Sequence, residues 1–296
     1  MLSIILSSYQ NDLFDQFESN VKATIGLGFQ YEIIRIENPG IMGICEAYNI
    51  GASKAQYPYL LFVHEDVQFE TQNWGTILME YLQRPEIGVV GLAGATRKSK
   101  MLSSWYQIVT SSKDANRYHY KQTYKFVTRD TKLQLNNPFQ EKSSCVLTLD
   151  GLFLAIESSK FKQFRFDEAL LKRFHGYDLD FSLSVSTKYQ NIVVYDILVL
   201  HSSEGKTDES WVKELLLVHK KWMDLLPKYN NELTIEEQTA LENNLFYGAI
   251  DGIFSYDISK LAKLTLVWQL LNAYKMKSKL FERTLVVELF YKIFKE

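Results

Sequence analysis

His64, Glu65 and Asp66 follow directly on the apolar run Tyr59–Val63, so three groups able to hold a proton or a cation stand just past a buried strand. That position is the rim of an open α/β sheet, where such folds bind ligands. A hard divalent cation would find oxygen donors there, and a diphosphate beside it would have its charge neutralised. Three further clusters could join them. Asp150 and Gly151 open the run DGLFLAI, the stretch FDEALLKRFHGYDLDF carries Asp178 and Asp180, and His201 follows the apolar run IVVYDILVL. A carboxylate among these could accept a proton from an attacking hydroxyl. Each group also has a plain reading. An Asp after a strand often forms only a turn, and a strand-end histidine is often only a satisfied polar group.

The elements that must position these groups can be read from periodicity. Strand-like runs at 2–7, Tyr31–Glu37, Tyr59–Val63 and 87–92 alternate with helical spacings at 14–25, 43–55 and Trp74–Leu82. Strands separated by helices of this length imply a largely parallel sheet with right-handed crossovers. Gly26 and Gly28 come after a helix rather than between strand and helix, so they read as a helix C-cap and not as a dinucleotide loop. From 97 to 144 the pattern gives way to aromatic-rich polar sequence, expected to form hairpins or long loops that wall a binding site. Regular runs return at 147–156 and 192–200. The segment 177–185 alternates like a strand, yet Gly176 and Asp178 form a helix-start signal, and a helix is the preferred reading. Past His201 the chain reads as helical, with Pro227 ending one helix and others expected at about 234–254, 258–274 and 279–294.

Composition narrows the function. The chain has 296 residues, 46% of them apolar and 23% charged, as ordinary globular proteins do. A net charge of −2 offers nothing for nucleic-acid binding. Cys45 and Cys145 lie far apart without a CxxC spacing, which reads as two free thiols in a reducing compartment. The opening MLSIILSSYQ reads as a strand rather than a secretion signal, and no apolar run reaches the ~20 residues a membrane span needs. A cytoplasmic location is expected.

Eight segments in this order, SIILSSYQ, GICEAYNIGASKA, LFVHEDV, GVVGLAGA, LDGLFLAI, FDE, GYDLDF and LHSSEG, resemble glycosyltransferase family 2 and its GT-A fold, within it the StrF-like branch. No single segment is specific; the order is. The resemblance spans about residues 1–226 and implies a mostly parallel sheet flanked by helices, with 227–296 as a helical C-terminal extension outside it. It implies an inverting, metal-dependent transferase that takes its sugar from a nucleoside-diphosphate donor, with UDP expected and GDP or dTDP as alternatives. The acceptor implied is a growing polysaccharide or a lipid-linked saccharide. On this reading Ser7, Ser8, Tyr9 and Glu37 line the base and ribose pocket. Asn49 lies near the diphosphate, and Gly51 lets helix and sheet approach. The family's D-x-D motif maps onto His64-x-Asp66, so Asp66 with His201 would hold Mn²⁺ or Mg²⁺, and Glu65, Asp150 and Gly151 would face the donor. Asp178 takes the position of the family's base, with Tyr177 where the family has Glu. Trp105, His175, Tyr177 and Asp180 are expected on the acceptor side.

The altered D-x-D and E-D motifs motivate a rival, a catalytically silent sugar-nucleotide binder of the same fold. A sugar nucleotidyltransferase is disfavoured because SSYQNDLF is neither Gly-rich nor basic. At the C-terminus, Lys275, Lys277, Lys279, Arg283, Lys292 and Lys295 outnumber Glu282, Glu288 and Glu296. With Phe281, Leu285, Leu289 and Ile293 on one face, contact with an anionic membrane surface and a helical dimer interface are both open.

Overall fold

The computed structural model describes residues 1–106, 115–123, 131–202, 207–230 and 233–274. Aliphatic runs and amphipathic helices alternate at first: β1 (Leu2–Ser8), α1 (Asn11–Thr24), β2 (Tyr31–Glu37), α2 (Ile44–Lys54) and β3 (Tyr59–Val63). A short strand β4 (Val67–Phe69) precedes α3 (Trp74–Leu82) and β5 (Ile87–Gly91). The irregular middle supplies β6 (Ala93–Ala95), β7 (Arg97–Lys98), β8 (Asn116–Thr123), β9 (Lys132–Asn136), β10 (Ser143–Val146) and β11 (Thr148–Leu149). Regular structure resumes with β12 (Phe153–Glu157), α4 (Ser158–Phe164), α5 (Tyr177–Val185), β13 (Gln190–Val194), β14 (Val199–Ser202) and α6 (Glu209–Trp222). The chain then runs through β15 (Lys228–Tyr229), α7 (Ile235–Ser255) and α8 (Lys260–Tyr274).

A seven-stranded sheet runs in the order β10-β13-β5-β12-β3-β1-β2. It is mostly parallel, as the alternating pattern implies; β12 and β10 run against their neighbours. Because successive side chains point to opposite faces, Ile5, Phe62, Val89 and Leu154 fill one core layer while Ile4, Leu61, Val90 and Ala155 fill the other. Helix α2 reaches the first layer through Gly51, where a Cβ would come within 2.3 Å of Ile5 Cγ2. A second sheet runs β11-β6-β8-β14-β4, with β9 beside β8. The β8–β9 pair is antiparallel, in keeping with the hairpins expected between 97 and 144.

Two sequence expectations need correcting. The run IVVYDILVL, read as one strand over 192–200, is two strands in different sheets. Asp196 interrupts it, its carboxylate accepting a 2.6 Å hydrogen bond from the Tyr81 hydroxyl, a polar anchor that a continuous buried strand could not host. His201 therefore lies inside β14 rather than after a strand. The run 147–156 is likewise broken, with β11 and β12 separated by a turn at Asp150 and Gly151. The ambiguous 177–185 segment is helix α5, capped by Gly176 and carrying Asp178 and Asp180 in its first turn.

Beyond Pro227 a capping box of Thr234 and Glu237 starts α7. Leu245, Phe246 and Ile250 of α7 and Leu266 of α8 belong to the same buried cluster as Leu215 of α6 and Phe181 of α5. β15 adds an antiparallel rung to β7. The helix expected at 279–294, and the basic run from Lys275 to Lys295, lie outside the described residues. No described helix is long and apolar enough to cross a membrane. Both thiols are free, Cys45 buried and Cys145 exposed.

Candidate functional site

A cavity of about 980 Å³ opens at the carboxyl ends of β1, β2 and β3. Ser7 and Tyr9 line it from the end of β1, and His64, Glu65 and Asp66 from the end of β3. Lys172, Arg173 and Phe174 line it from the loop before α5. This is the rim at which His64, Glu65 and Asp66 are expected to work.

Asp66 and His201 are set by neighbouring rungs of one sheet. β14 runs antiparallel to β4 with His201 opposite Val67, and the Ser202 amide donates to the Asp66 carbonyl at 3.1 Å. As a result His201 Nε2 lies 3.6 Å from Asp66 Oδ1. His64 joins them: each of the three offers one ligand atom, and these atoms lie within 4.8 Å of one another. His64 is a third donor beside the two, Asp66 and His201, that the resemblance implies. Its Nε2 is 2.7 Å from the Tyr177 hydroxyl, the kind of contact that fixes the tautomer and ring angle of a metal-binding imidazole. Burial pushes the His64 pKa down, against the pull of Asp66, and the neutral ring is the form that binds a cation. Two imidazoles and a carboxylate fit a divalent transition ion such as Mn²⁺ better than Mg²⁺, which prefers an all-oxygen shell.

Glu65 is buried beside this cluster. One oxygen accepts from the Tyr9 amide at 3.3 Å. The other, Oε2, has no hydrogen-bond partner among the described residues, so a hydroxyl or N–H from a ligand in the cavity would satisfy it.

The turn at 150–151 connects the cation cluster to Asp178. The Gly151 amide donates to Asp178 Oδ2 at 3.1 Å, and the Leu179 amide donates to Oδ1 at 2.8 Å. Burial, then the neighbouring Asp150 charge, raise the Asp178 pKa to about 7 despite those hydrogen bonds. The Asp150 pKa is also raised, chiefly by burial, while His201 pulls it down and Asp66 pushes it up. Asp150 thus feels the cation cluster on one side and Asp178 on the other. Its carboxyl also lies beside the Trp105 side chain, which helps to hold its pKa down. Asp178 is not among the residues that line the cavity.

Gly151 is required by a close approach, since a Cβ there would lie 1.9 Å from the Tyr177 hydroxyl, itself buried. Gly151→Ala should therefore push Tyr177 off His64 and destabilise the fold by about 1–3 kcal/mol, as overpacking does. Urea melts would read the loss, and an unchanged midpoint would mean that the turn can shift freely.

Other expected residues are placed elsewhere. The Asn49 amide is consumed in holding the 166–168 turn, donating to the Phe166 carbonyl at 2.9 Å and Glu168 at 2.7 Å and accepting from the Phe166 amide. It is a buried tie between α2 and that turn, not a diphosphate contact. Asp180, 3% exposed, accepts from Trp222 Nε1 at 2.7 Å and Lys221 Nζ at 2.9 Å, so it anchors α6 rather than an acceptor. His175 faces Asp208 and Glu214, its amide donating to Glu214 at 2.8 Å. Ser8 Oγ accepts from Arg35 Nε at 3.1 Å, and Glu37 is exposed at the end of edge strand β2; neither lines the cavity. In place of Glu37, Asn38 lines it and shapes its wall, bonding Ser7 Oγ, the Met42 carbonyl and the amides of Ile41 and Met42. The turn pattern Asn38-Pro39-Gly40 was the available signal. Lys172 and Arg173 were also missed, although their charge next to the Asp178 segment could have drawn notice.

A family model described as "Glycosyltransferase like family" matches residues 3–231. Among solved structures the fold is similar to that of GalNAc-T7, crystallised with UDP, GalNAc and Mn²⁺, at 13% identity and a TM-score of 0.51. That match covers 98% of this chain and 57% of the other, so the chain spans little more than half of that relative's length. Weaker likenesses link it to S. aureus TarS 1–349 in complex with UDP-GlcNAc (12% identity, TM-score 0.45, covering 98% and 77%). A mannosyltransferase from Pyrobaculum calidifontis in complex with GDP-Man and Mn²⁺ is similar at 10% identity, TM-score 0.44, over 99% and 84%. These identities speak to fold alone. No curated protein sequence matches the chain.

Proposed function

Since the chain belongs to the glycosyltransferase-like family, within glycosyltransferase family 2, we propose that it moves a sugar from a nucleoside-diphosphate donor to a saccharide or lipid-linked acceptor with inversion. The observation that carries this reading is the cluster of His64, Asp66 and His201, the first two of which line a cavity large enough for a nucleotide sugar. We take residues 1–226 as the catalytic unit and 227–296 as a helical C-terminal extension, working in the cytoplasm or at the inner membrane face.

On this reading Tyr9 and the orphan oxygen of Glu65 meet the nucleoside, the latter accepting from a ribose hydroxyl. Lys172 and Arg173 stand where they can neutralise a diphosphate. His64, Asp66 and His201 would hold Mn²⁺, with Mg²⁺ the poorer fit, and a bound cation would supply Lewis-acid stabilisation of the leaving diphosphate. Asp178 takes the proton of the acceptor hydroxyl as that oxygen bonds to the anomeric carbon. The bond from that carbon to the phosphate oxygen breaks on the opposite face, with its electrons leaving on the nucleoside diphosphate. One displacement inverts the anomeric centre, and no protein nucleophile is needed. Trp105, beside Asp150, would form part of the acceptor wall.

The silent-binder alternative draws on one observation, that both Asp178 oxygens are held by backbone amides. Calorimetry with UDP and GDP, in Mn²⁺ and in Mg²⁺, tests the donor half. UDP should bind only with a divalent cation, and more tightly with Mn²⁺. Absence of any cation-dependent nucleotide binding would overturn the reading. UDP release from UDP-sugars then separates an enzyme from a silent binder.

A further inference from the structure

The turn between β7 and Trp105 is held by more buried charge than a surface loop needs. Lys98 is fully buried, and its ammonium donates to the carbonyls of Ser103 at 2.8 Å and Ser104 at 3.3 Å, as well as to the Ser103 hydroxyl. Buried His219 of α6 places Nδ1 3.2 Å from the Lys100 carbonyl and Nε2 3.3 Å from the Ser103 amide. Burial, and the charge on Lys98, drive its pKa down to about 3, so the ring is neutral and can donate through one nitrogen while accepting through the other. The third tie comes from the C-terminal extension. Glu242 of α7 accepts from Ser99 Oγ at 2.8 Å, from the Lys100 amide at 3.3 Å and from the Tyr229 hydroxyl at 3.0 Å.

This turn ends at Trp105, whose carbonyl accepts from Thr148 Oγ1 at 3.1 Å and whose side chain lies beside Asp150. Trp105 and Tyr106 pack edge to face with centroids 5.4 Å apart, and Tyr106 is exposed. An aromatic pair beside a carboxylate can cover a sugar's C–H face while the carboxylate accepts from its hydroxyls.

We infer that Glu242 is a positioning residue for a carbohydrate acceptor, acting through the 99–104 turn on Trp105, which makes the C-terminal extension part of the transferase site. The acceptor role rests on the function proposed above; the coupling of Glu242 to Trp105 does not. A carboxylate buried against a turn cannot be removed without leaving its donors unsatisfied, and a turn so released no longer fixes the indole it carries. Displacements of about 1 Å at such a wall can cost on the order of 10²-fold in rate.

The test compares the full chain with Glu242→Ala and Glu242→Gln, each with and without Trp105→Phe, so that Trp105 fluorescence is obtained by difference. Acrylamide quenching of Trp105 should rise on the order of twofold in Glu242→Ala as a partly buried indole becomes more accessible, with Glu242→Gln, which keeps an acceptor oxygen, between it and wild type. Calorimetric affinity for Mn²⁺ with UDP should stay at the wild-type value. Unchanged Trp105 quenching in both variants, whatever their melting temperatures, overturns the inference. Failure of the wild-type chain to bind Mn²⁺ with UDP would instead remove the proposed function and leave the quenching result to judge the coupling. Should Glu242→Ala fail to fold, Glu242→Gln alone decides.

Discussion

Asp66→Ala is expected to lower sugar transfer about 10³-fold, equivalent to about 4 kcal/mol of lost transition-state stabilisation. It should also remove the cation dependence of UDP binding. Among the three clustered groups Asp66 is the sole carboxylate, and a cation held by two neutral imidazoles would keep no anionic protein ligand. The substitution should leave the fold standing, because the Asp66 carbonyl, not its side chain, accepts from Ser202. Calorimetry with UDP and Mn²⁺, beside a melting curve, checks both parts. Retained Mn²⁺-dependent binding with unchanged affinity would remove Asp66 from the cation site. His201→Ala should act in the same direction with a smaller effect, since a neutral ligand is lost rather than a charge.

Asp178→Asn is expected to reduce turnover by about 10²–10⁴-fold while leaving the affinity for UDP and Mn²⁺ unchanged, as removal of a general base does. The pH dependence follows from the same carboxyl. With its folded pKa raised to about 7, it is ionised and able to take a proton above that value, so kcat/KM should fall on the acid side with a midpoint near 7. Stability should run the opposite way. The unfolded carboxyl releases its proton near 3.8, so between that value and 7 the folded chain binds more protons than the unfolded one. Stability therefore falls as pH rises through this window, and Asp178→Asn, which carries no charge, should melt higher than wild type at alkaline pH. A variant both less active and more stable is the signature of a strained functional group. A variant that melts lower at every pH would mark Asp178 as a structural cap instead.

Much of the scaffold was legible because its cause is periodic. Tyr59–Val63 could only be a buried strand, and Trp74–Leu82 only an amphipathic helix; both stand at those boundaries. What misled was apolarity without geometry. The run 192–200 is apolar almost throughout, and nothing local announces that Asp196 will find the Tyr81 hydroxyl and end the strand. The site was legible where its groups stand at strand ends, as Asp66 does, since the end of a strand is a position sequence can specify. It was not legible where a side chain's role depends on what folds opposite. Asn49 and Asp180 carry polar groups suited to a ligand, but Phe166, Glu168, Trp222 and Lys221 reach them first. His64 shows the converse, since only the pairing of β4 with β14 brings His201 round to it.

Adjacent rungs of one ladder leave little slack between Asp66 and His201. A clamp of that kind surrenders almost no chain entropy when its occupant arrives, because the backbone carrying the jaws is already fixed. It also cannot widen to suit its occupant, so discrimination among ions must come from the chemistry of the donor atoms and the radius they tolerate.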